Sequence, residues 1–249
     1  MTDPYRALGN GYADVRRPDP RIAAQVQAAL GNAASVVNVG AGTGSYEPDD
    51  RRVVAVEPSA TMLLQRPPGS APAVQAFAEH LPFATGRFDV ALAVLTVHHW
   101  RDPQAGLAEL RRVAGRQVVF TWDCEVMARY WLTAGYLPEI AERERTLYTV
   151  DGIVDALSRN GRRVEVQAVE VPWDCSDGFL AAYWRRPDRY LDAGVRAGMS
   201  GVAALPDSVV RPAIARLTDD LATGTWHERH RDLLECETLD VGYRLVVAT

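Results

Sequence analysis

The 249-residue sequence predicts an α/β protein built on a doubly wound, seven-stranded sheet whose last strand is antiparallel. Three observations predict it. Residues 36–39 carry three valines and are followed at once by glycines at 40, 42 and 44. That pattern reads as a buried central strand running into a turn where a Cβ would block close approach of a ligand. A second apolar run, 52–56, ends in an acidic side chain, Glu57, 17 residues after Gly40. Further apolar runs then alternate with helical patterns opened by Asp-Pro pairs, the signature of a sheet wound with helices.

Taken in order, Asp19-Pro20 opens a first helix, with Asp as N-cap and Pro at the first position. Ile22, Val26 and Leu30 recur on one face, and Gly31 closes it. After the second strand, 60–65 reads as one or two helical turns carrying Met62, and Pro67-Pro68-Gly69-Ser70 forces a loop. Residues 73–77 read as a third strand ending at Ala78-Glu79, and 88–95 as a fourth, apolar throughout. Asp102-Pro103 caps a helix expected to end at Gly115. Strands are expected at 117–120, at 164–171 and, alternating, at 240–249. Two helical stretches, 124–160 and 173–239, leave from strand carboxyl ends and are rich in aromatics such as Tyr130, Trp131, Phe179 and Trp184. They read as a lid over the site, against the plainer alternative of helical core.

The glycine turn and Glu57 point to an adenosine-containing ligand, because a carboxylate at the tip of the second strand can accept hydrogen bonds from two ribose hydroxyls. The spacing is G-x-G-x-G and not G-x-G-x-x-G, with only eight residues between Gly44 and Val53 and Pro48 among them. A pyrophosphate needs a helix N-terminus aimed at it, and little room is left for one.

The ordered motifs Val39-Gly40-Ala41-Gly42-Thr43-Gly44, Val56-Glu57-Pro58-Ser59-Ala60-Thr61-Met62, Ala78-Glu79-His80-Leu81-Pro82-Phe83 and Phe88-Asp89-Val90 through His98-His99-Trp100 resemble the class I S-adenosylmethionine-dependent methyltransferases, nearest the small-molecule kind called methyltransferase type 11. The resemblance covers about residues 12–122. It implies a Rossmann-like methyltransferase fold forming a single domain: an arm and helix over 1–34, a cofactor-binding core over 35–123, and the two insertions as a substrate lid. It implies S-adenosylmethionine as cofactor and S-adenosylhomocysteine as product. The residues it assigns to the cofactor are Gly40, Ala41, Gly42, Thr43, Gly44, Glu57, Pro58, Ser59, Met62, Ala78, Glu79, Leu95 and Thr96, with Tyr12 and Arg17 from the arm folding over it. The chain departs from the family at Asn38, where an acidic residue is common, and at Phe77, near which relatives carry one.

Composition narrows the alternatives. With 27 arginines and no lysine, a Walker-type phosphate loop and a Schiff-base or pyridoxal phosphate enzyme are excluded. A net charge of −5 offers little support for a nucleic-acid surface. No apolar run opens the chain or is long enough to span a membrane, and three scattered cysteines fit a reducing cytoplasm. A soluble cytoplasmic enzyme acting on a small-molecule acceptor, without nucleic acid or membrane and with its oligomeric state open, is therefore expected. His98 and His99 are the candidate general bases, and Asp123 the candidate to orient one of them or to accept a proton itself. No metal site is expected: His227, His230 and Cys236 have no ligand spacing behind them. Two other readings stand beside this one. The chain could bind S-adenosylmethionine without transferring its methyl, or it could be an NAD(P)-dependent reductase, which would lack the lysine of a Tyr-x-x-x-Lys pair.

Overall fold

The computed structural model describes residues 16–249. Helix α1 (Pro20–Leu30) starts where expected, the Asp19 carboxylate accepting from the Arg21 N–H, and it buries Ile22, Val26 and Leu30. Strands β1 (Ser35–Val39) and β2 (Arg52–Val56) follow. They are joined by a turn without helix, so the first crossover carries none of the helix that the doubly wound pattern suggests. Helix α2 (Ala60–Leu64) is capped by Ser59. Strand β3 is only Ala73–Val74. Its partner β2 donates to it from the Ala55 and Glu57 N–H groups, and the next N–H on that edge, Ser59, is turned to the Glu57 carboxylate, so pairing stops short of the expected 77.

Strand β4 (Phe88–Val94) leads into a single 3₁₀ turn, Val97–His99, and then into helix α3 (Pro103–Val113), capped by Asp102. Helix α3 passes directly into β5 (Ala114–Trp122) with no loop. Gly115 is therefore inside a strand and not at a helix end, because buried Val113 and Ala114 carry the chain straight into the sheet. Short helices α4 (Cys124–Met127), α5 (Trp131–Gly135), α6 (Pro138–Glu144) and α7 (Val150–Leu157) fill the first insertion. The expected single strand over 164–171 is broken: β6 (Val164–Ala168) pairs in the main sheet. Strand β7 (Val171–Pro172) leaves it to pair with β8 (Thr238–Leu239). Between them lie α8 (Ala193–Ala197), α9 (Ser200–Ala203), α10 (Asp207–Ala222) and α11 (Thr225–Arg229). The last strand, β9 (Tyr243–Ala248), starts later than expected because Asp240 is turned back to accept from the Gly242 N–H.

The seven-stranded sheet has the order β3-β2-β1-β4-β5-β9-β6, with β9 antiparallel to both neighbours. The order reverses between β1 and β4, and a crevice opens outside their carboxyl ends at such a point. One face of the sheet packs on α1 and on the aromatic interior of the insertions; the other packs on α3 and α7 through Leu107, Leu110, Ile153 and Leu157. Among the described residues no helix is long and apolar enough to cross a membrane.

Candidate active site

The crevice is a cavity of about 410 Å³ over the ends of β1, β2 and β4. Its floor is made by Gly40, whose φ of +71° and close packing against Thr96 exclude any side chain: a Cβ there would lie 2.0 Å from Thr96 Oγ1. Ala41, Gly42 and Thr43 continue that wall. The Glu57 carboxylate is buried yet presented to the cavity. It accepts from the Gly42 N–H through Oε2 and from the Ser59 N–H through Oε1, both at 2.8 Å. Those two bonds hold the glycine turn and the cap of α2 around one carboxylate. Pro58, Ser59, Met62 and Ala78 close the far end, and Phe77 lies there too, its ring under the Arg101 guanidinium at 4.2 Å. Leu95, with φ of +49°, and Thr96 close the side toward β4.

Two of the expected cofactor residues sit differently. Gly44 does not line the cavity; its open α-carbon lets the buried Arg66–Glu47 ion pair approach, a Cβ there meeting both side chains at 3.2 Å. Arg17 is exposed and lines no cavity, whereas Arg16 lines this one, because buried Asp177 draws its guanidinium inward at 2.6 Å. Tyr12 lies outside the described residues. Glu79 does line the cavity, but its Oε1 accepts from the N–H groups of Arg101 and Asp102, tying the β3 and β4 loops together. Asn38 Nδ2 donates to Glu47, while its Oδ1 is buried at the wall of the cavity with no hydrogen-bond partner among the described residues.

A second, smaller cavity of about 50 Å³ adjoins the first, sharing Arg16, Leu95 and His99 with it. His98 lines only the smaller one, its ring 3.7 Å from that of His99 and 4.3 Å from that of Trp122. Burial, and then the charges of His99, Arg143 and Arg16, push the His98 pKa well below the ordinary imidazole value. His99 is exposed and opens to the cavity; desolvation by the groups around it and nearby arginines bring it down to about 4. Both rings are thus neutral at pH 7 and, as bases, weaker than a free imidazole.

Asp123 is not brought to the histidines. Its carboxylate caps α4 through the N–H groups of Glu125 and Val126, and it lines neither cavity. Three groups absent from the sequence reading do line the smaller cavity: Trp122, Glu144 and Tyr243. They come from strand ends and an insertion helix, and no spacing rule joins them. Of the insertion aromatics expected to form the lid pocket, Phe179 is there. Tyr130, Trp131 and Trp184 belong instead to the packed interior of the helical cap, together with Tyr190 and Trp226. The His227/His230 pair is likewise structural, the His230 ring stacking 5.0 Å from Trp226. Cys175 is buried, which pushes its thiol up to about 12 and away from reactivity.

The larger cavity fits an adenosyl sulfonium cofactor. It offers an acidic tip for a ribose, a glycine backbone for close approach and, in Asn38, an amide oxygen without a partner among the described residues that suits an ammonium. The methyltransferase domain family matches residues 37–120, the strands that build it. Beyond that stretch, a solved structure of a putative methyltransferase from an antibiotic biosynthesis pathway of Anabaena variabilis ATCC 29413 is 32% identical. The match covers 94% of this chain and 99% of that one at a TM-score of 0.88. The geranyl diphosphate C-methyltransferase of Streptomyces coelicolor A3(2), 16% identical over 91% of this chain and 78% of that one with a TM-score of 0.50, shares the fold. A curated relative, the uncharacterized protein YafE of Escherichia coli strain K12, is 42% identical over 48 residues, 18% of this chain and 23% of that protein, so this chain matches less than a quarter of that relative's length. Likeness over nearly the whole of a methyltransferase, with the family's domain falling on the strands beneath the cavity, gives the conclusion: the chain belongs to the class I S-adenosylmethionine-dependent methyltransferases.

Proposed function

We propose that the enzyme methylates an O, N or C atom of a small-molecule metabolite. The observation that carries this reading is the pair of adjoining cavities, with the smaller one walled by His98, Trp122 and the insertions and too confined for a polymer. S-adenosylmethionine, when bound, supplies a methyl group already activated by the sulfonium charge. The chain's own residues position, exclude water and handle a proton.

Glu57 accepts from the ribose hydroxyls while keeping its two backbone bonds. Asn38 Oδ1 accepts from the methionine-end ammonium, a polar group whose burial without a partner otherwise costs about 1–3 kcal/mol. Met62, Phe77 and Ala78 pack on the adenine, with Glu79 holding the surrounding loops. The insertions close over the acceptor, and the positioning of two reactants in line can be worth about 7–11 kcal/mol. Where the acceptor atom carries a proton, His98 or His99, neutral at pH 7, takes it as the bond to the methyl forms, a contribution of roughly 10²–10⁴-fold. Asp123 supports this only at a distance, by fixing the start of α4 behind β5.

The test is to supply methyl-labelled S-adenosylmethionine together with a cell extract divided by size. Label appearing in the low-molecular-weight fraction supports the reading. Label confined to protein or nucleic acid, or S-adenosylhomocysteine binding with no transfer to any fraction, would replace it with a macromolecular methyltransferase or a binding protein.

A further inference from the structure

The smaller cavity has a chemical character that narrows the acceptor, an inference that rests on the proposed small-molecule reading. Two of its polar groups, Glu144 and His98, can accept hydrogen bonds and stand beside aromatic side chains. Glu144, at the end of α6, is 6% exposed and makes no ion pair among the described residues. Its Oε2 is held by the Trp122 indole N–H at 2.8 Å. Burial pushes its pKa up, while the indole N–H and Arg143 pull it back down. A buried carboxylate without a cation is costly, and a ligand that brings the cation removes that cost.

Beside it, His98 Nε2 is buried with no hydrogen-bond partner among the described residues. The walls around these two groups are aromatic: Trp122 meets His98 in a T-shaped contact, and Phe179 and Tyr243 pack together at 4.4 Å. Aromatic faces attract a cation through their quadrupole. Arg16 at the rim does not supply the missing charge, since its guanidinium is drawn to Asp177. A hydroxyl brings one proton to these acceptors. An amine brings two or three, and when protonated it brings the charge as well.

We propose that the acceptor is an amine, seated with its nitrogen between Glu144 and His98 beside the rings of Trp122, Phe179 and Tyr243, so that the product is an N-methylated amine. The transfer balances within the site: the neutral nitrogen's lone pair forms the bond to the methyl carbon as the carbon–sulfur bond breaks. The sulfonium charge thus passes to nitrogen as an N-methylammonium, which gives up its proton to solvent on release; an amine that enters as ammonium first gives a proton to Glu144, which frees the lone pair.

The experiment titrates benzylamine and phenethylamine, and their isosteric partners benzyl alcohol and phenethyl alcohol, into the enzyme saturated with S-adenosylhomocysteine. The amines are expected to bind about tenfold or more tightly than the alcohols, with Glu144→Gln removing that preference while S-adenosylhomocysteine binding stays unchanged. Equal binding of amine and alcohol, an undiminished preference in Glu144→Gln, or no binding of any of the four by a protein that still binds S-adenosylhomocysteine would overturn the proposal. Should the variant fail to fold, the amine-to-alcohol ratio of the unaltered enzyme decides alone. Methyl transfer to the alcohols but not the amines would leave the small-molecule reading standing and remove only this inference.

Discussion

Arg16 donates from Nε to Asp177 Oδ1 at 2.6 Å across 161 positions of sequence. The other carboxylate oxygen accepts from the Tyr46 hydroxyl at 2.8 Å, so one buried aspartate joins the arm before α1, the β1–β2 turn and the second insertion. Arg16 lines both cavities, which places this junction where cofactor and acceptor sites meet. Removing one partner leaves the other charge buried. Asp177→Ala is therefore expected to lower unfolding stability by about 3–5 kcal/mol in urea titrations. The Arg16→Ala/Asp177→Ala double variant should lose less than the sum of the two singles.

A second anchor joins the same segments. Asp19 is fully buried, which raises its pKa, but hydrogen bonds from the Arg21 guanidinium and the Ser176 N–H outweigh this and hold it at about 2. A carboxyl whose folded pKa lies below its unfolded value of 3.8 stabilises the protein above pH 4 and loses that contribution as pH falls toward 2. The shift corresponds to about 2 kcal/mol. Acid titration of the unfolding free energy should show this fall, and Asp19→Asn should flatten it.

The glycine turn makes a sharper prediction. Gly40→Ala places a methyl against Thr96 at a left-handed backbone position. Strain and overpacking together are expected to cost about 2–5 kcal/mol, seen as a lowered melting temperature and lost cofactor binding. Adding Thr96→Ala should recover only the steric part, because the positive φ remains.

Neutral imidazoles predict the pH dependence of transfer. With His99 brought down to about 4 and His98 pushed well below its ordinary value, neither ring protonates as pH falls through 6.5. A profile of kcat/KM should stay level from pH 8 to about pH 5 on their account, with an acid limb near 4. A limb at 6.5 that disappears in His99→Asn would show the ring to be ordinarily hydrated in the working enzyme.

What the sequence made legible was local. The caps at Asp19 and Asp102, the valine strand before Gly40 and the acid at Glu57 announce themselves because each depends on neighbours within a few residues. Strand lengths were less legible, since β3 ends where its partner β2 turns at Pro58 and β6 ends where the chain leaves for β8. The acceptor side was barely legible at all. Glu144 meets Trp122 across 22 positions and Arg16 meets Asp177 across 161, and neither pair leaves a periodic or spaced trace. Arg16 and Arg17 are equivalent as sequence; only the buried partner distinguishes them.

The central claim is that the cavity above β1 and β2 holds the adenosyl cofactor by its Glu57 carboxylate. Calorimetric titration of S-adenosylhomocysteine and NADH into the enzyme and into Glu57→Ala tests it most directly. The account predicts micromolar binding of S-adenosylhomocysteine, none of NADH, and a loss of about a hundredfold in the variant, equivalent to about two hydrogen bonds to a charged group. Unchanged affinity in Glu57→Ala, or binding of NADH in place of S-adenosylhomocysteine, would contradict it.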